Sequence, residues 1–430
     1  MPISRWARHA PGPIVRIGVR QRTVNWVAMG MYGGFSPMMA LQIILFCMAV
    51  PAVAASGYLL LATLLSAKPA LPKKSSRTLR FDVIVPAHNE AGIIERTVSS
   101  LQRIDWPKDS YRIIVVADNC TDATAEIARG AGAEVMQRQD PVNRGKGYAL
   151  EFAFAASRRK NWATAVVVID ADAEVSPNLL EAFAARLEAG EDAVQVHYGV
   201  LNPHASWRTR LITIAKGSFH IVRSRAREKL GVSCGIRGNG WCVTHRLLEQ
   251  VPYRCFSLTE DLEYGIAIGM CGFRVAYADE AHSNADMVSG ETQSRSQRTR
   301  WEAGRFQLIR QKTWPLLAAA VRRRSAVCLD LGLDLMVLPL SYVALNAFAL
   351  IVVAAGASWY YPALLPYLWI GIACLVAQVL YVLRGWQLSQ VGLQGLIDLG
   401  RAPFFLLWKL LLLMRPRKSQ TWVRTDREIK

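Results

Sequence analysis

The sequence predicts an α/β protein in which a Rossmann-like sheet, flanked by helices, lies between transmembrane helices near both ends of the chain. Short apolar runs at 81–86, 111–117 and 165–169 each lead into a polar cluster, and helical patterns follow the first two. Such alternation is typical of a parallel sheet covered by helices. Apolar stretches long enough to cross a bilayer flank this region. The 430 residues therefore suit one domain of roughly 200 to 250 residues plus several membrane segments.

The first predicted membrane segment, 35–66, carries no charged residue and exceeds the roughly 20 residues that a helix needs to cross a bilayer. It is too long, and begins too far along the chain, for a cleaved signal peptide. Pro51 leaves a kink or a re-entrant form open. A basic tail, 1–34, precedes the segment and a basic linker, 68–80, follows it, so the side of the membrane that the tail occupies stays open.

Two further membrane helices are predicted at 326–356 and 361–383, joined as a hairpin by 357–360. The connector has no basic residue, whereas three consecutive arginines precede the hairpin and Arg384 follows it. By the positive-inside rule, the connector faces outward and the middle domain faces the cytosol. We therefore expect an integral protein of the plasma or inner membrane.

The segment 396–414 is interrupted by three charged residues and Pro403, which favours an interfacial helix over a membrane span. The basic tail 415–430 then stays in the cytosol. Asp330 and Asp334, near the start of 326–356, are carboxylates of the kind that a transporter needs, or they reach the headgroups beside the preceding arginines. A transporter or a non-catalytic membrane scaffold is therefore kept as a remote alternative.

The formal net charge of +18 is compatible with nucleic acid or with an anionic membrane surface. No zinc-finger, RNA-binding or helix-turn-helix pattern accompanies it, and the basic residues crowd beside the apolar segments. The charge therefore indicates membrane lipids as partners and argues against nucleic acid. The eight cysteines form no C-x-x-C pair, which suits a reducing compartment.

Acidic residues follow three of the predicted strands. Glu90, Asp118 and Asp170 each lie just beyond an apolar run. Each one alone could cap a helix. Because ligands of parallel sheets bind beyond the carboxyl ends of the strands, the three together indicate one crevice. In Asp170-Ala171-Asp172, two carboxylates stand at the lip of the sheet, where they suit Mg²⁺ or Mn²⁺ bridging a diphosphate.

Basic and glycine-rich turns supply further candidates. The turn 143–147, with Lys146, precedes a helical pattern and indicates a phosphate or nucleotide contact, or an ordinary basic turn. The segment 207–230 is a basic amphipathic helix that lies on the inner leaflet or packs on the sheet with a solvated basic face. The loop 235–240 has three glycines, which leave room for a bulky acceptor.

Thr259-Glu260-Asp261 precedes an apolar helix. The two acids could cap that helix. Alternatively, Asp261 takes a proton from an attacking hydroxyl, which a carboxylate can do when burial and neighbours tune its pKa. The residues alone favour neither interpretation.

Gln297-Arg298-Thr299-Arg300-Trp301 is the most specific motif, because this Q-x-x-R-W follows both a D-x-D and a T-E-D. With these motifs, 79–314 resembles the inverting family-2 nucleotide-sugar glycosyltransferases of the cellulose, chitin and hyaluronan synthase type. The resemblance implies a cytosolic catalytic domain with a mixed sheet of the GT-A type. It also implies a nucleotide-sugar donor, with UDP as the expected nucleotide, and a divalent cation.

The resemblance also implies roles, residue by residue. It assigns the following to the donor: Pro86, His88, Glu90, Asp118, Lys146, Asp170 and Asp172. Asp172 is the implied metal ligand, Asp261 the implied base, with Glu260 beside it in the catalytic motif. The motif residues Gln297, Arg300 and Trp301 are implied to line the acceptor and diphosphate side. Gly238, Asn239 and Gly240 are candidates for that side from the glycine-rich loop itself, since the large polymerases tend to have a different small-residue loop there.

The acceptor is predicted to be a growing polysaccharide or its repeat unit. The alternative is the addition of one sugar to a lipid such as a ceramide, a diacylglycerol or a prenyl phosphate. About three predicted spans are fewer than the polymer synthases use to enclose a channel, so channel formation by one chain is not expected. A partner subunit is compatible with the sequence.

Overall fold

The computed structural model describes residues 36–287 and 291–401, with the backbone alone for 291–301. The helices are α1 (Pro37–Leu64), α2 (Ile94–Gln102), α3 (Thr124–Gly130), α4 (Lys146–Lys160), α5 (Leu179–Glu188), α6 (Trp207–Lys216), α7 (Arg223–Lys229), α8 (His245–Gln250), α9 (Glu260–Met270), α10 (Glu291–Arg323), α11 (Ala326–Met336), α12 (Leu340–Tyr360), α13 (Leu365–Ser389) and α14 (Gly392–Leu399). The strands are β1 (Phe81–Ala87), β2 (Tyr111–Asp118), β3 (Glu134–Arg138), β4 (Ala165–Val168), β5 (Ala173–Val175), β6 (Ala193–Val200), β7 (Trp241–Thr244) and β8 (Ala276–Ala285).

The eight strands form one mixed sheet in the order β3-β2-β1-β4-β7-β6-β8-β5. β1 pairs in parallel with β2 and β4, and β2 pairs in parallel with β3. β7 runs antiparallel to both β4 and β6, which places one reversed strand in the middle of the sheet. The predicted fold class, a mixed sheet flanked by helices, is confirmed.

Helices cover both faces of this sheet because successive side chains of each strand point to opposite sides. Phe81, Val83 and Val85 of β1 pack against α2 and α5 in one apolar cluster. Ile84 lies on the other face, in a cluster that includes residues of α4, α8 and α9. The mostly apolar sequences of β1, β2 and β4 fit this two-sided burial.

Three helices among the described residues are long and apolar enough to cross a membrane: α1, α12 and 362–389, which contains α13. They pack together through Leu45 of α1, Leu350 of α12 and Cys374 of α13. α1 continues as one helix through Pro51, so it is not re-entrant. Which side of a membrane the sheet domain faces stays a prediction.

The segment 326–356, predicted as one membrane helix, is instead two helices, and the prediction was wrong. α11 ends at Met336, and Val337 is extended (φ −68°, ψ 98°) two residues before Pro339. Proline removes a backbone donor and disfavours helix in the residue before it, so α12 starts anew at Leu340. With 11 residues, α11 is too short to span. It packs on α9 and α10 instead.

Three predicted segments fall wholly or mostly outside the described residues: the tails 1–34 and 415–430, and 396–414. The described part of the last segment belongs to α14, which begins earlier, at Gly392, and ends at Leu399. The other C-terminal helix extends past the predicted 361–383, since α13 ends at Ser389.

The predicted basic helix 207–230 is α6 and α7 joined by a π-helical segment, Gly217–Val222, and its basic side chains are not mainly solvated or directed at lipid. Four of these seven basic side chains form ion pairs inside the protein. Arg210 contacts Asp398 at 2.6 Å, Arg225 contacts Asp279 at 2.7 Å, Arg223 contacts Asp334 at 2.9 Å and Arg227 contacts Asp330 at 2.6 Å. These pairs account for both carboxylates of α11 that were candidates for transport.

The same region joins the sheet domain to the membrane helices. The Arg223 Nε donates to the Tyr381 hydroxyl of α13 at 2.9 Å, and the Tyr58 hydroxyl of α1 donates to Asp330 at 3.2 Å. Because both tyrosines lie near the C-terminal ends of their helices, these contacts hold the domain against one end of the helix bundle.

Candidate active site

The carboxyl ends of β1, β2 and β4 bring the predicted donor residues to one edge of the sheet. His88 follows β1, and its Nδ1 lies 2.7 Å from the backbone oxygen of Asp118, the last residue of β2. Asp170 lies two residues beyond β4. Pro86 is within β1, opposite Val116. The parallel strands therefore place these residues at one edge of the sheet, and that they form the donor site stays a prediction.

Asp118 is held by residues that the sequence did not single out. Arg138 donates to its Oδ1 at 2.7 Å and to Asp140 at 3.0 Å, while the Asn119 amide donates to the same Oδ1 at 3.0 Å. Glu90 begins the turn into α2, where its backbone oxygen accepts from Ile93 at 3.0 Å. Arg138 is the last residue of β3. A basic residue at the end of a fourth strand was therefore the sequence signal that could have identified it as a partner of Asp118.

Lys146 lies between three parts of the site. Its Nζ donates to Asp170 Oδ1 at 2.6 Å and to the backbone oxygen of Gly238 at 2.6 Å, and it lies 3.9 Å from Glu260 Oε1. Burial alone lowers the pKa of Lys146, but the attraction of Asp170 and Glu260 outweighs burial and raises that pKa above its usual value. The ammonium group of Lys146 thus lies beside Asp170, the loop 235–240, which we call the glycine loop, and Glu260 of the T-E-D.

Glu260 and Asp261 are the first residues of α9 and lie against the glycine loop. A β-carbon added at Gly238 would come within 2.9 Å of Asp261 Oδ2. Burial raises the pKa of both carboxyl groups, and the nearby Lys146 opposes the rise. A carboxylate whose pKa is raised is a stronger proton acceptor near neutral pH, as a general base requires.

Asn239 and Gly240 of the glycine loop pack against residues that carry the site. Asn239 is fully buried, and its Oδ1 accepts from the backbone of Asp170 at 3.0 Å and from Ser283 at 3.1 Å. A β-carbon at Gly240 would lie 2.7 Å from Val196. Asn239 and Gly240 thus fix the position of Asp170 and the sheet, while Gly238 borders the base.

Gln297, Arg300 and Trp301 lie in α10, and their side chains fall outside the described residues. Gly304, one helical turn further, packs on the residue before the T-E-D: a β-carbon there would lie 2.6 Å from Thr259. The backbone of α10 therefore runs beside the start of α9, and the roles of the three motif side chains stay predictions.

Lys216 of α6 is a site residue that the sequence reasoning missed. Its Nζ lies 3.3 Å from the centroid of the Tyr198 ring and donates to the Gly199 oxygen at 3.4 Å. Burial lowers the pKa of Lys216 to about 7, against the attraction of Asp172 and Asp170. It is one of seven Arg and Lys residues between 207 and 230, so no local pattern distinguishes it.

The donor set for a metal is small. Among the residues that the structure describes, no three His, Cys, Asp or Glu side chains cluster as a metal site. Asp170 and Asp172 provide hard carboxylate oxygens just beyond β4, and Asp170 also accepts from Lys146. Mg²⁺ is commonly held by one or two carboxylates plus substrate phosphates and water. The residues therefore fit a divalent cation whose coordination a diphosphate completes.

The chain is similar in sequence to two described families. Residues 82–243 match "Glycosyl transferase family 2", and residues 165–414, more than half of the chain, match "Glycosyl transferase family group 2". The probable glycosyltransferase YdaM of Bacillus subtilis is 26% identical over 242 residues, 52% of this chain and 55% of that protein. A beta-monoglucosyldiacylglycerol synthase from a Nostoc species is 25% identical over 238 residues, 52% of this chain and 48% of that protein.

The chain thus spans about half the length of these curated relatives. Among solved structures, the mannosyltransferase PcManGT from Pyrobaculum calidifontis, in complex with GDP-Man and Mn²⁺, is similar with a TM-score of 0.48 and 21% identity. That similarity covers 80% of this chain and 98% of the solved one.

Proposed function

The chain belongs to glycosyl transferase family group 2, and on that premise we propose that it transfers a hexose from a nucleotide-sugar to a lipid acceptor in the membrane. One observation carries the proposal. Lys146 contacts Asp170 on the donor side and Gly238 on the acceptor side, and it lies 3.9 Å from Glu260 beside the base. Donor residues and a proton acceptor therefore belong to a single site.

Each residue has a role in a single displacement. The acceptor oxygen forms a bond to the anomeric carbon while the bond from that carbon to the diphosphate oxygen breaks. Asp261 accepts the hydroxyl proton, and the nucleoside diphosphate leaves from the opposite face, so the anomer inverts. Lys146 places positive charge beside Asp170, where the diphosphate is expected to bind, and Lys216 adds to that charge when it is protonated.

Asp172, with Asp170 beside it, would hold the divalent cation, Mg²⁺ or Mn²⁺. When bound, the cation supplies positive charge that offsets the charge on the departing diphosphate. Asp118 and His88, which lie at the end of β2 and just beyond β1, would contact the base and ribose of the nucleotide. UDP is the expected nucleotide from the resemblance of the sequence.

Three observations favour a lipid acceptor over a polysaccharide. The sheet domain contacts the ends of membrane helices directly, through Arg223 and Tyr381. A relative at 25% identity is a beta-monoglucosyldiacylglycerol synthase. The three candidate spans among the described residues also leave little protein with which to build a channel for a polymer.

The experiment is to reconstitute the full chain in lipid bilayers and offer a panel of sugar nucleotides with Mg²⁺ or Mn²⁺. We expect release of one nucleoside diphosphate and formation of one glycolipid. Asp261→Asn should lower turnover about 10²- to 10⁴-fold with the fold intact, because it removes the proton acceptor. Glu263→Gln, which neutralises a carboxyl group on the same helix outside the site, is the matched control and should retain turnover.

Two results would contradict this proposal. Unchanged turnover in Asp261→Asn would remove Asp261 as the base. A ladder of product lengths, in place of one glycolipid, would show the polymer synthesis that the sequence first suggested.

A further inference from the structure

Four arginine guanidinium groups meet where the sheet domain contacts the membrane helices. Arg223 and Arg227 come from α7, Arg237 from the glycine loop and Arg305 from α10. Three of them surround one ring, that of Phe219, with distances to its centroid of 4.2 Å for Arg237, 5.0 Å for Arg223 and 5.9 Å for Arg305. We refer to these four residues as the arginine cluster.

The negative charge facing the arginine cluster is smaller than its positive charge. Arg223 and Arg227 share Asp334, at 2.9 and 3.5 Å, and Arg227 also contacts Asp330 at 2.6 Å. Arg305 donates to two backbone oxygens, at 2.5 and 3.0 Å. Within the described part of the chain, neither Arg237 nor Arg305 has a carboxylate at ion-pair distance, so four cations face two anions.

Several donors of the arginine cluster have no acceptor within the part of the chain that the structure describes. Among the described residues, the unpartnered buried atoms include Nε and Nη2 of Arg237, Nη2 of Arg227 and Nε of Arg305. Arg237 is 6% exposed and Arg227 is 2% exposed, so these groups are removed from bulk solvent. Burial lowers the pKa of Arg237, and it lowers the pKa of Arg305 to about 10. The attraction of Asp334 does not offset this effect, and the neighbouring arginines add to it.

We propose that the arginine cluster is a phosphate-binding site that takes the phosphate group of a lipid headgroup. Guanidinium groups present parallel N–H donors that match phosphate oxygens, and a bound anion would satisfy the orphaned donors and balance the charge. Phe219, which the cluster surrounds, lies in the π-helical segment, and such segments are frequent at functional sites.

The position of the arginine cluster indicates a lipid as the source of the phosphate. Arg223 contacts Tyr381 near the C-terminal end of α13, at the end of the helix bundle where headgroups are expected. The cluster also adjoins the proposed active site. Arg237 precedes Gly238, which borders the base, and Arg305 follows Gly304, which packs on Thr259. Its occupant would therefore bind on the acceptor side, although the binding site itself does not depend on the proposed transfer reaction.

The test measures binding to the full chain in an uncharged detergent, without any sugar nucleotide. The probes are dihexanoyl phosphatidic acid, dihexanoyl phosphatidylcholine and inorganic phosphate, titrated by calorimetry. We expect phosphatidic acid to bind and Arg237→Gln to weaken its binding at least about tenfold, because charge-assisted hydrogen bonds are lost. Lys229→Gln removes the same net charge from an exposed position of α7 and should bind as the wild type does.

Further variants keep the result interpretable. Arg237→Lys retains the charge and should recover part of the affinity, and Arg305→Gln should weaken binding even if Arg237→Gln fails to fold. Tighter binding of phosphatidic acid than of inorganic phosphate supports the lipid source, and equal binding supports the site with a free phosphate as its ligand. Equal affinity in Arg237→Gln, Arg305→Gln and Lys229→Gln would overturn the proposal. The binding measurement contains no sugar nucleotide. Its result therefore stands even if the proposed sugar transfer is not observed.

Discussion

Replacing Gly238 with alanine tests the site most directly, because the structure gives both the strain and the displacement. Gly238 has a φ of +91°, a conformation that costs an L-residue roughly 1–2 kcal/mol. The added β-carbon would lie 2.9 Å from Asp261 Oδ2, and no other atom would be closer. Gly238→Ala should therefore destabilise the protein slightly and move the proposed base.

The expected loss of turnover follows from the size of that movement. An ordinary contact needs about 0.5 Å more separation, and a misplacement of about 1 Å can cost roughly 10²-fold in rate, so we expect a loss of about tenfold in kcat. The strain should lower the melting temperature by only a few degrees, roughly 2–4 °C for each kcal/mol in a domain of this size. The KM for the donor should change less than kcat, because Asp261 acts on the acceptor.

Gly235→Ala is the matched control. Gly235 lies in the same loop with a φ of +74°, but an added β-carbon would meet nothing within 4 Å. It should lower the melting temperature by a similar amount and leave kcat close to the wild-type value. Release of nucleoside diphosphate and thermal unfolding are measured for both variants. An equal loss of kcat in the two variants would mean that strain in the loop, rather than displacement of Asp261, accounts for the effect.

Three further predictions concern charge. Asp172→Asn should lower the wild-type rate to that seen after chelation of divalent cations, and added Mn²⁺ should not rescue it; full activity would contradict the ligand role. Since burial raises the pKa of Asp261 and the base must be deprotonated, turnover should fall with falling pH at a midpoint above the usual range of an aspartate, as a pH–rate profile can show. Asp334→Asn should cost about 3–5 kcal/mol of stability in thermal unfolding, because Arg223 and Arg227 lose a buried partner; an unchanged melting temperature would contradict this.

Three strands of the parallel part, β1, β2 and β4, were predictable because each is a mostly apolar run, whereas β3 (Glu134–Arg138) is polar and has no such signal. The predicted 81–86 and 111–117 correspond to β1 and β2 within one residue. The reversed part had no comparable signal. β6, for example, contains Gln195 and His197, and its neighbours β7 and β8 pair with it from distant parts of the sequence. The mixed character of the sheet came from the resemblance of the motifs to a family, not from local pattern.

The residues that converge at strand ends could be predicted, whereas residues that act through long-range packing could not. Asp118 and Asp170 follow apolar strands, so their placement follows from parallel pairing. Lys216 and Arg237 lie among other basic residues and glycines, and only the tertiary structure separates the buried ones from the exposed ones. Composition attributes the basic residues behind the net charge of +18 to contacts with lipid headgroups, yet several of these arginines are buried and paired within the protein.

This burial of charge bears on how the proposed acceptor would reach the proposed base. A short series of contacts runs from Tyr381 of a membrane helix through Arg223 to Asp334, and from there to Arg305 beside Gly304. Gly304 packs on Thr259 at the start of the helix that carries Asp261. The proposed base is therefore held at a fixed position relative to the ends of the membrane helices. An acceptor hydroxyl anchored by acyl chains would meet that base with little loss of translational freedom, since the membrane already confines it. A soluble glycan has no such confinement, which is a physical reason to expect a lipid acceptor at this site.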